Sequence, residues 1–481
     1  MGNIKKNAVY NILLSASQLL FPLVTFPYVS RVLGPLGIGQ VSFADSITQY
    51  FILIAALGIP VYGVREIAKV KTDSSARSRV FSELLFIHGC TTVIAFLIYV
   101  AVFFTLPAFQ MHQSLFIVGS GLVLLQLFVM EWLFQGLEAF PYITKRTLLV
   151  RLASILAIFL FVKTSQDGVW YYAIFLVTLA INALFNIVYA KRFVHFRIYP
   201  NAFSKHLRPL LYIFSLGVVT SVYTVLDTAL LGLLSDLEQV GYYATAMRLI
   251  KLIVLIFVAF STVLIPPLSH AFHRQQLIEV HALLRKSFGY MVFICVPASI
   301  GLMVVAPLIL PLFAGQAFRD ATIILRILAP TLCFVGLSNV FGMQLLNSTN
   351  NERLFFKAAI VGMCISMGIN FILIPIWGGV GSAIASLLTE GIVLLLLIRY
   401  GLGKVAFQPP WLLLLQAFLA SLSFIPIYWF VAKQTFSSSI QLGIILCLSV
   451  VTYGFIQVFL FHNPYLAELV RLFKSKLGAS K

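Results

Sequence analysis

Stretches of about twenty apolar residues recur along the whole chain, separated by short connections that carry most of its Lys and Arg. In a bilayer only a helix or a closed barrel satisfies its own backbone, and a helix needs about that many residues to cross. No long segment alternates apolar and polar residues, so barrel strands are not expected and the chain reads as an all-α, polytopic membrane protein. Composition agrees, because 60% of the residues are hydrophobic and 10% charged, too few charges to cover a soluble surface.

Counting crossings predicts about fourteen helices, at 8–30, 39–64, 80–104, 114–137, 147–162, 168–190, 209–234, 244–265, 288–313, 323–346, 355–374, 379–398, 411–431 and 441–461. The net charge of +18 then has a simple cause, the Lys and Arg that accumulate in cytoplasmic loops, and nucleic acid is not an expected partner. With the N-terminus inside, the loops carrying Arg65 to Arg79, Lys145 and Arg146, Lys191 to Arg208, Arg285 and Lys286, and the tail with Arg471, Lys474, Lys476 and Lys481 all fall on the cytoplasmic side. The other side receives only Arg31, Lys163, Arg319 and Lys433, so both termini are expected in the cytoplasm. The first helix follows Met1-Gly2-Asn3 without a small-residue cleavage site and reads as an uncleaved anchor. Cys90, Cys295, Cys333, Cys364 and Cys447 show no paired spacing, and His270, His273 and His281 lack supporting carboxylates, so neither a disulfide framework nor a metal site is expected.

The longest inside connection, Lys191 to Arg208, follows the sixth helix and divides the chain into bundles at 1–200 and 201–404, with two extra helices and a tail at 405–481. A weak repeat supports the division. Leu33-Gly34 followed by Gly39 resembles Leu231-Gly232 followed by Gly241, and Gly58-Ile59-Pro60 resembles Leu264-Ile265-Pro266. Six helices per half is an even number, so the repeats share one orientation across the membrane.

The residues left over are charges inside the runs, which are costly in lipid unless they face protein or a polar path. Asp45 lies just beyond the glycine-rich segment Gly34, Pro35, Gly37 and Gly39, which is read as a tight turn between two spans. Arg248 and Lys251, one helical turn apart, repel each other unless an anion visits or Asp45 and Asp227 neutralise them. Glu131 and Arg151 are placed to pair, Arg326 is near an outer end, and Glu390 is close to the middle of the twelfth helix. Prolines inside runs, including Pro22, Pro27, Pro60, Pro297 and Pro330, mark bending points, and Pro266-Pro267 is expected to end the eighth helix. No spacing supports a catalytic triad, a paired-carboxylate site or a cofactor, and enzymatic activity is not expected.

Asn7 with Tyr10 and Asn11, the phrase from Phe26 to Phe51, the exit from Leu57 to Lys69 and the turn from Asn347 to Ala358 resemble the O-antigen (Wzx-type) flippases. These are polysaccharide transporters of the multidrug/oligosaccharidyl-lipid/polysaccharide exporter superfamily. The resemblance implies two six-helix bundles around a central cavity that opens alternately to either side of the bacterial inner membrane. The implied cargo is an undecaprenyl-pyrophosphate-linked O-antigen repeat unit moving from the cytoplasmic to the periplasmic leaflet, with a polysaccharide polymerase and chain-length proteins as partners. Arg248, Lys251, Arg31 and Arg326 are then candidates to meet the diphosphate, and Asp45, Asp227, Glu131 and Glu390 candidates to carry a coupling proton or sodium ion. The alternatives are an ion-coupled multidrug or metabolite antiporter of the same fold and, from a different class, a membrane-embedded polysaccharide-modifying enzyme.

Overall fold

A computed structural model describes residues 2–105, 107–110, 112–199, 202–405 and 407–463. The side chains of Asn7 and Asn11 and the expected basic tail with Arg471, Lys474, Lys476 and Lys481 lie outside the described residues. The regular elements described are all helical, and ten helices among the described residues are long and apolar enough to cross a membrane. The chain divides into two compact units, Met1–Gly241 and Tyr242–Lys481.

The first unit opens with α1 (Gly2–Ala56), in which the backbone leaves helical geometry at Gly34 alone, at φ +66°. The tight turn expected across Gly34 to Gly39 is thus made at one glycine, Gly34. Gly34 permits this because it has no Cβ to clash at positive φ, and because Pro35 is pre-set for a first helical turn. Before Gly34, α1 lies beside α7 (Phe140–Phe161). Thr144 bonds Tyr10 O, Arg151 donates to Ser17 Oγ, and Tyr28 donates to Val162 O, each pair separated by 134 residues. A constant separation means that the two helices run parallel in one register. After Gly34, α1 runs antiparallel to α3 (Ser74–Thr105), with Thr91 donating to Ala55 O at 2.6 Å and Thr48 bonded to Tyr99 at 3.2 Å.

The repeat glycines meet. A Cβ on Gly39 would lie 1.6 Å from Leu237 O, and one on Gly241 would lie 1.9 Å from Pro35 O. Pro35 to Leu237 and Gly39 to Gly241 are both intervals of 202 positions, so the contact is reciprocal in sequence.

Several expected helices are interrupted. The run at 39–64 stops at Leu57 and Gly58, both at positive φ, and restarts as α2 (Ile59–Lys69), with Pro60 in its first turn. After the short α4 (Pro107–Gln110), the run at 114–137 divides into α5 (Gln113–Gln126) and α6 (Glu131–Gly136) around Met130 at φ 43°. Conversely, α7 begins at Phe140, which places Lys145 and Arg146 on a helix and not in a loop. The unit continues with α8 (Gly168–Ala190) and α9 (Ala202–Leu234). Leu84, Ile87, Leu133, Phe134 and Leu210 are fully buried where α2, α3, α6 and α9 converge.

In the second unit α10 (Leu237–His273), most of which lies there, passes through Pro266 and Pro267 to His273, so this pair does not end the helix as expected. In membrane helices, neighbouring helices, Ser and Thr side chains and local backbone adjustment can satisfy the carbonyls that a proline frees. α11 (Leu277–Ala314) packs against α12 (Ala321–Leu328) and α13 (Thr331–Ser338), which are separated at Pro330 and followed by a π-helical turn over Asn339–Leu346. Within that turn the buried Gln344 accepts from Ser287 and donates to Ser261 at 3.0 Å, tying it to α11 and α10. α14 (Glu352–Leu402) is two helices joined at Gly378, φ +53°. α15 (Leu412–Ser421), α16 (Phe424–Ala432) and α17 (Ser438–Phe455) complete the unit.

Candidate functional site

Asp45 is half-buried on α1 and accepts long hydrogen bonds, at 3.4 Å each, from Tyr172 of α8 and Gln49. Tyr172 is fully buried, as is Tyr99 of α3 beside it, so the carboxylate is set against aromatic rings that offer hydroxyls. Asp227 is half-buried on α9, within electrostatic range of the Tyr50 hydroxyl, which is buried and has no hydrogen-bond partner among the described residues. The first unit thus sets two of the proposed acids among tyrosines.

Glu131 is engaged elsewhere. It was expected to pair with Arg151, but its partner is Arg146, whose side chain is 3% exposed and which also donates to Asn186. Arg151 is turned toward Ser17, because the parallel register of α1 and α7 brings these two together. Asn186 in turn donates to Val129 O, at the interruption between α5 and α6. Arg146 was missed because its position directly after Lys145 reads as loop charge.

A second buried carboxylate, Glu83 of α3, was not singled out by sequence. Its Oε1 accepts from Arg79 Nε at 2.9 Å, and its Oε2 accepts from Lys205 Nζ at 3.0 Å and meets His206 Nε2 at 2.8 Å. His206 Nδ1 is 2.9 Å from the Tyr62 hydroxyl. The legible signal was the four-residue spacing of Arg79 and Glu83 on a helix.

In the second unit, Arg248 is half-buried and Lys251 exposed, three residues apart on α10 and so on neighbouring positions of one face. Glu390 is half-buried on α14. Arg326 is exposed on α12 and donates to Met303 O at 3.3 Å. Arg31, in the first unit, is likewise exposed and donates to Pro27 O one turn back. An apolar cavity of about 610 Å³ opens between α11 and α17, lined by Phe293, Pro297, Gly301, Phe424, Leu446 and Tyr453. Outside the spans, Asp167 accepts the backbone N–H groups of Lys163 at 2.8 Å and Thr164 at 2.7 Å, and these two bonds hold its carboxyl below the usual carboxylate range.

Buried ionic clusters on a framework of crossing helices suit a protein that handles a polar or charged species within the membrane, and similarity points the same way. The chain is 25% identical over 402 residues to the "Putative O-antigen transporter" of Escherichia coli (strain K12), a match covering 83% of this chain and 96% of that protein. Its fold is similar to that of the lipid II flippase MurJ in an inward closed conformation, at 17% identity and a TM-score of 0.63, covering 92% of this chain and 99% of that one. An inward-facing multidrug resistance MATE family transporter of the MOP superfamily is similar at 14% identity and a TM-score of 0.65, covering 83% of this chain and 98% of that one. The model of the polysaccharide biosynthesis protein family matches residues 4–272, more than half of the chain, and the chain belongs to that family.

Proposed function

We propose that this multi-pass membrane protein is a flippase for lipid-linked polysaccharide repeat units. In this reading it moves undecaprenyl-pyrophosphate-linked oligosaccharide from the cytoplasmic to the periplasmic leaflet of the bacterial inner membrane by alternating access, with both termini cytoplasmic. The delivered unit is what a polysaccharide polymerase and its chain-length proteins consume.

One observation carries the reading: Arg248 and Lys251 share a face of α10, a helix long and apolar enough to cross a membrane. A diphosphate cannot enter low-dielectric surroundings bare, because desolvating an uncompensated charge costs several kcal/mol or more. Two cations one turn apart match its two phosphoryl groups, and Arg31 and Arg326, both exposed, are candidates to meet it nearer the periplasm. The isoprenoid tail needs only apolar surface, which the cavity between α11 and α17 offers. Asp45 and Asp227 are the favoured carriers of a coupling proton or sodium ion, since tyrosine hydroxyls accompany both. Glu390 remains a candidate, and Glu131, already paired with Arg146, is the weakest of the four.

The experiment is to replace both cations, Arg248→Ala with Lys251→Ala, in cells lacking the chromosomal copy. The variant is expected to reach the membrane while lipid-linked repeat units accumulate on the cytoplasmic face. Normal surface polysaccharide in that strain would reject the binding role.

A further inference from the structure

The chain between α8 and α9 has no regular structure from residue 194 to 199, yet it is pinned along α3. Arg77 donates twice to Phe193 O, at 3.1 and 2.8 Å. His195 N donates to Ser78 Oγ at 3.2 Å, Ser82 Oγ donates to His195 O at 3.2 Å, and Arg197 N donates to Ser82 Oγ at 3.0 Å. The residue after Ser82 is Glu83, which holds the first turns of α9 through Lys205 and His206. The Glu83 and His206 side chains are 4% and 1% exposed, so this last contact is shielded from water.

We infer that His206, held between Glu83 and Tyr62, is a proton-binding site whose occupancy sets how firmly the connection into α9 is latched to α2 and α3. The inference goes beyond the transport reading and does not depend on what is carried.

The geometry suits both protonation states. Imidazole is the side chain whose ordinary titration falls near neutrality, whereas guanidinium and ammonium partners keep their charge there. His206 Nε2 faces a carboxylate and therefore carries a hydrogen in either state. Nδ1 faces the Tyr62 hydroxyl, which donates when Nδ1 is bare and accepts when Nδ1 is protonated. Gaining a proton thus breaks no bond and needs only rotation of the Tyr62 O–H. The bond to Glu83 becomes charge-assisted on protonation, roughly twice as strong as before, so acid tightens the latch and base loosens it. The surrounding charges are Arg65, whose guanidinium lies 5.3 Å over the Tyr62 ring, Glu66, which is paired with Arg65 and Lys69, Arg79, which lies over Tyr199, and Lys205. Glu66 is tied into ion pairs with Arg65 and Lys69, and His206 supplies the imidazole of this set. By loop charge the site lies on the cytoplasmic side, so the proton sensed is the cytoplasmic one.

The test is hydrogen exchange of the full chain in lipid nanodiscs at pH 5.5 and pH 8.0, corrected for the intrinsic pH dependence of amide exchange and read in the peptides spanning 193–199 and the start of α9. Protection is expected to be about tenfold greater at pH 5.5, the equivalent of the existing bond to Glu83 becoming charge-assisted. His206→Gln, whose amide still donates to Glu83 but does not titrate, is expected to be equally protected at both pH values. Glu83→Gln, which keeps an acceptor without the charge, is expected to be flat as well and serves if His206→Gln does not accumulate. Flat protection in the wild type, or an unchanged pH response in either variant, overturns the latch. Pairing these readings with transport in the same preparations separates the two ideas. PH-dependent protection without lipid-linked cargo movement supports the latch and counts against the flippase. Flat protection with transport intact does the reverse.

Discussion

Gly39→Ala tests the reciprocal glycine contact. The added Cβ would lie 1.6 Å from Leu237 O, where contacts under 3.0 Å are essentially never tolerated, so the two backbones must separate by at least 1.4 Å, the difference of those distances. Backbone cannot swing aside as a side-chain tip can, and overpacking of this kind typically costs about 1–3 kcal/mol, sometimes more. For a unit of this size that corresponds to a fall of about 2–12 °C in the temperature at which the detergent-solubilised protein loses its fold. Gly241→Ala meets Pro35 O at 1.9 Å and is expected to fall by a similar amount. The double variant is expected to cost less than the sum of the singles, because one separation relieves both clashes. Gly89→Ala is the matched control, on α3 with nothing within 4 Å of the added carbon, and is expected to be neutral or stabilising by up to about 1 kcal/mol. If Gly39→Ala and Gly89→Ala melt together, these backbones do not approach closely and the repeat has no structural counterpart here.

Arg146→Ala leaves Glu131 and Asn186 without their shared donor and is expected to destabilise the first unit by about 2–3 kcal/mol, below the usual value for a fully buried pair because Glu131 is 38% exposed. Adding Glu131→Gln to Arg146→Ala is expected to recover part of that loss, measured as a rise in melting temperature. Asp45→Asn, which keeps size and hydrogen bonding but cannot ionise, is expected to reduce gradient-driven transport at least tenfold while leaving the protein in the membrane, and full transport would remove Asp45 as a coupling residue. Asp167 ionises more readily folded than unfolded, so its contribution is complete above the ordinary carboxylate range and is lost as pH falls through its lowered value. Asp167→Asn is therefore expected to leave the pH dependence of stability unchanged between pH 6 and 8 and to alter it only in acid, as followed by thermal melts from pH 8 down into the acid range.

The all-helical, multi-pass class was legible because lipid demands long apolar helices, and that constraint acts on every residue of a run. Helix interruptions were not legible. Met130 and Leu57 take positive φ without being glycine, and nothing in an apolar run announces this. The same holds in reverse at Pro266 and Pro267, where the usual breaker is absorbed by a long helix. Among the charges, hydropathy marks which side chains are costly but not which partner each one finds. Glu131 and Arg151 look like a pair by depth alone, whereas the parallel register of α1 and α7 delivers Arg151 to Ser17 and leaves Arg146 for Glu131. Glu83 was legible only as half of a pair with Arg79, since Lys205 and His206 reach it from 122 and 123 positions later, distances that only tertiary structure closes.

The central claim is that Arg248 and Lys251 meet an anionic head group in transit, and purified protein in liposomes tests it most directly. Movement of a labelled, diphosphate-linked oligosaccharide lipid between leaflets is timed for the wild type and for the variant carrying Arg248→Ala and Lys251→Ala. Two charge-assisted contacts are worth at least about 3 kcal/mol together, so the account predicts a rate at least about a hundredfold lower in the variant. Equal rates for the two proteins would contradict it.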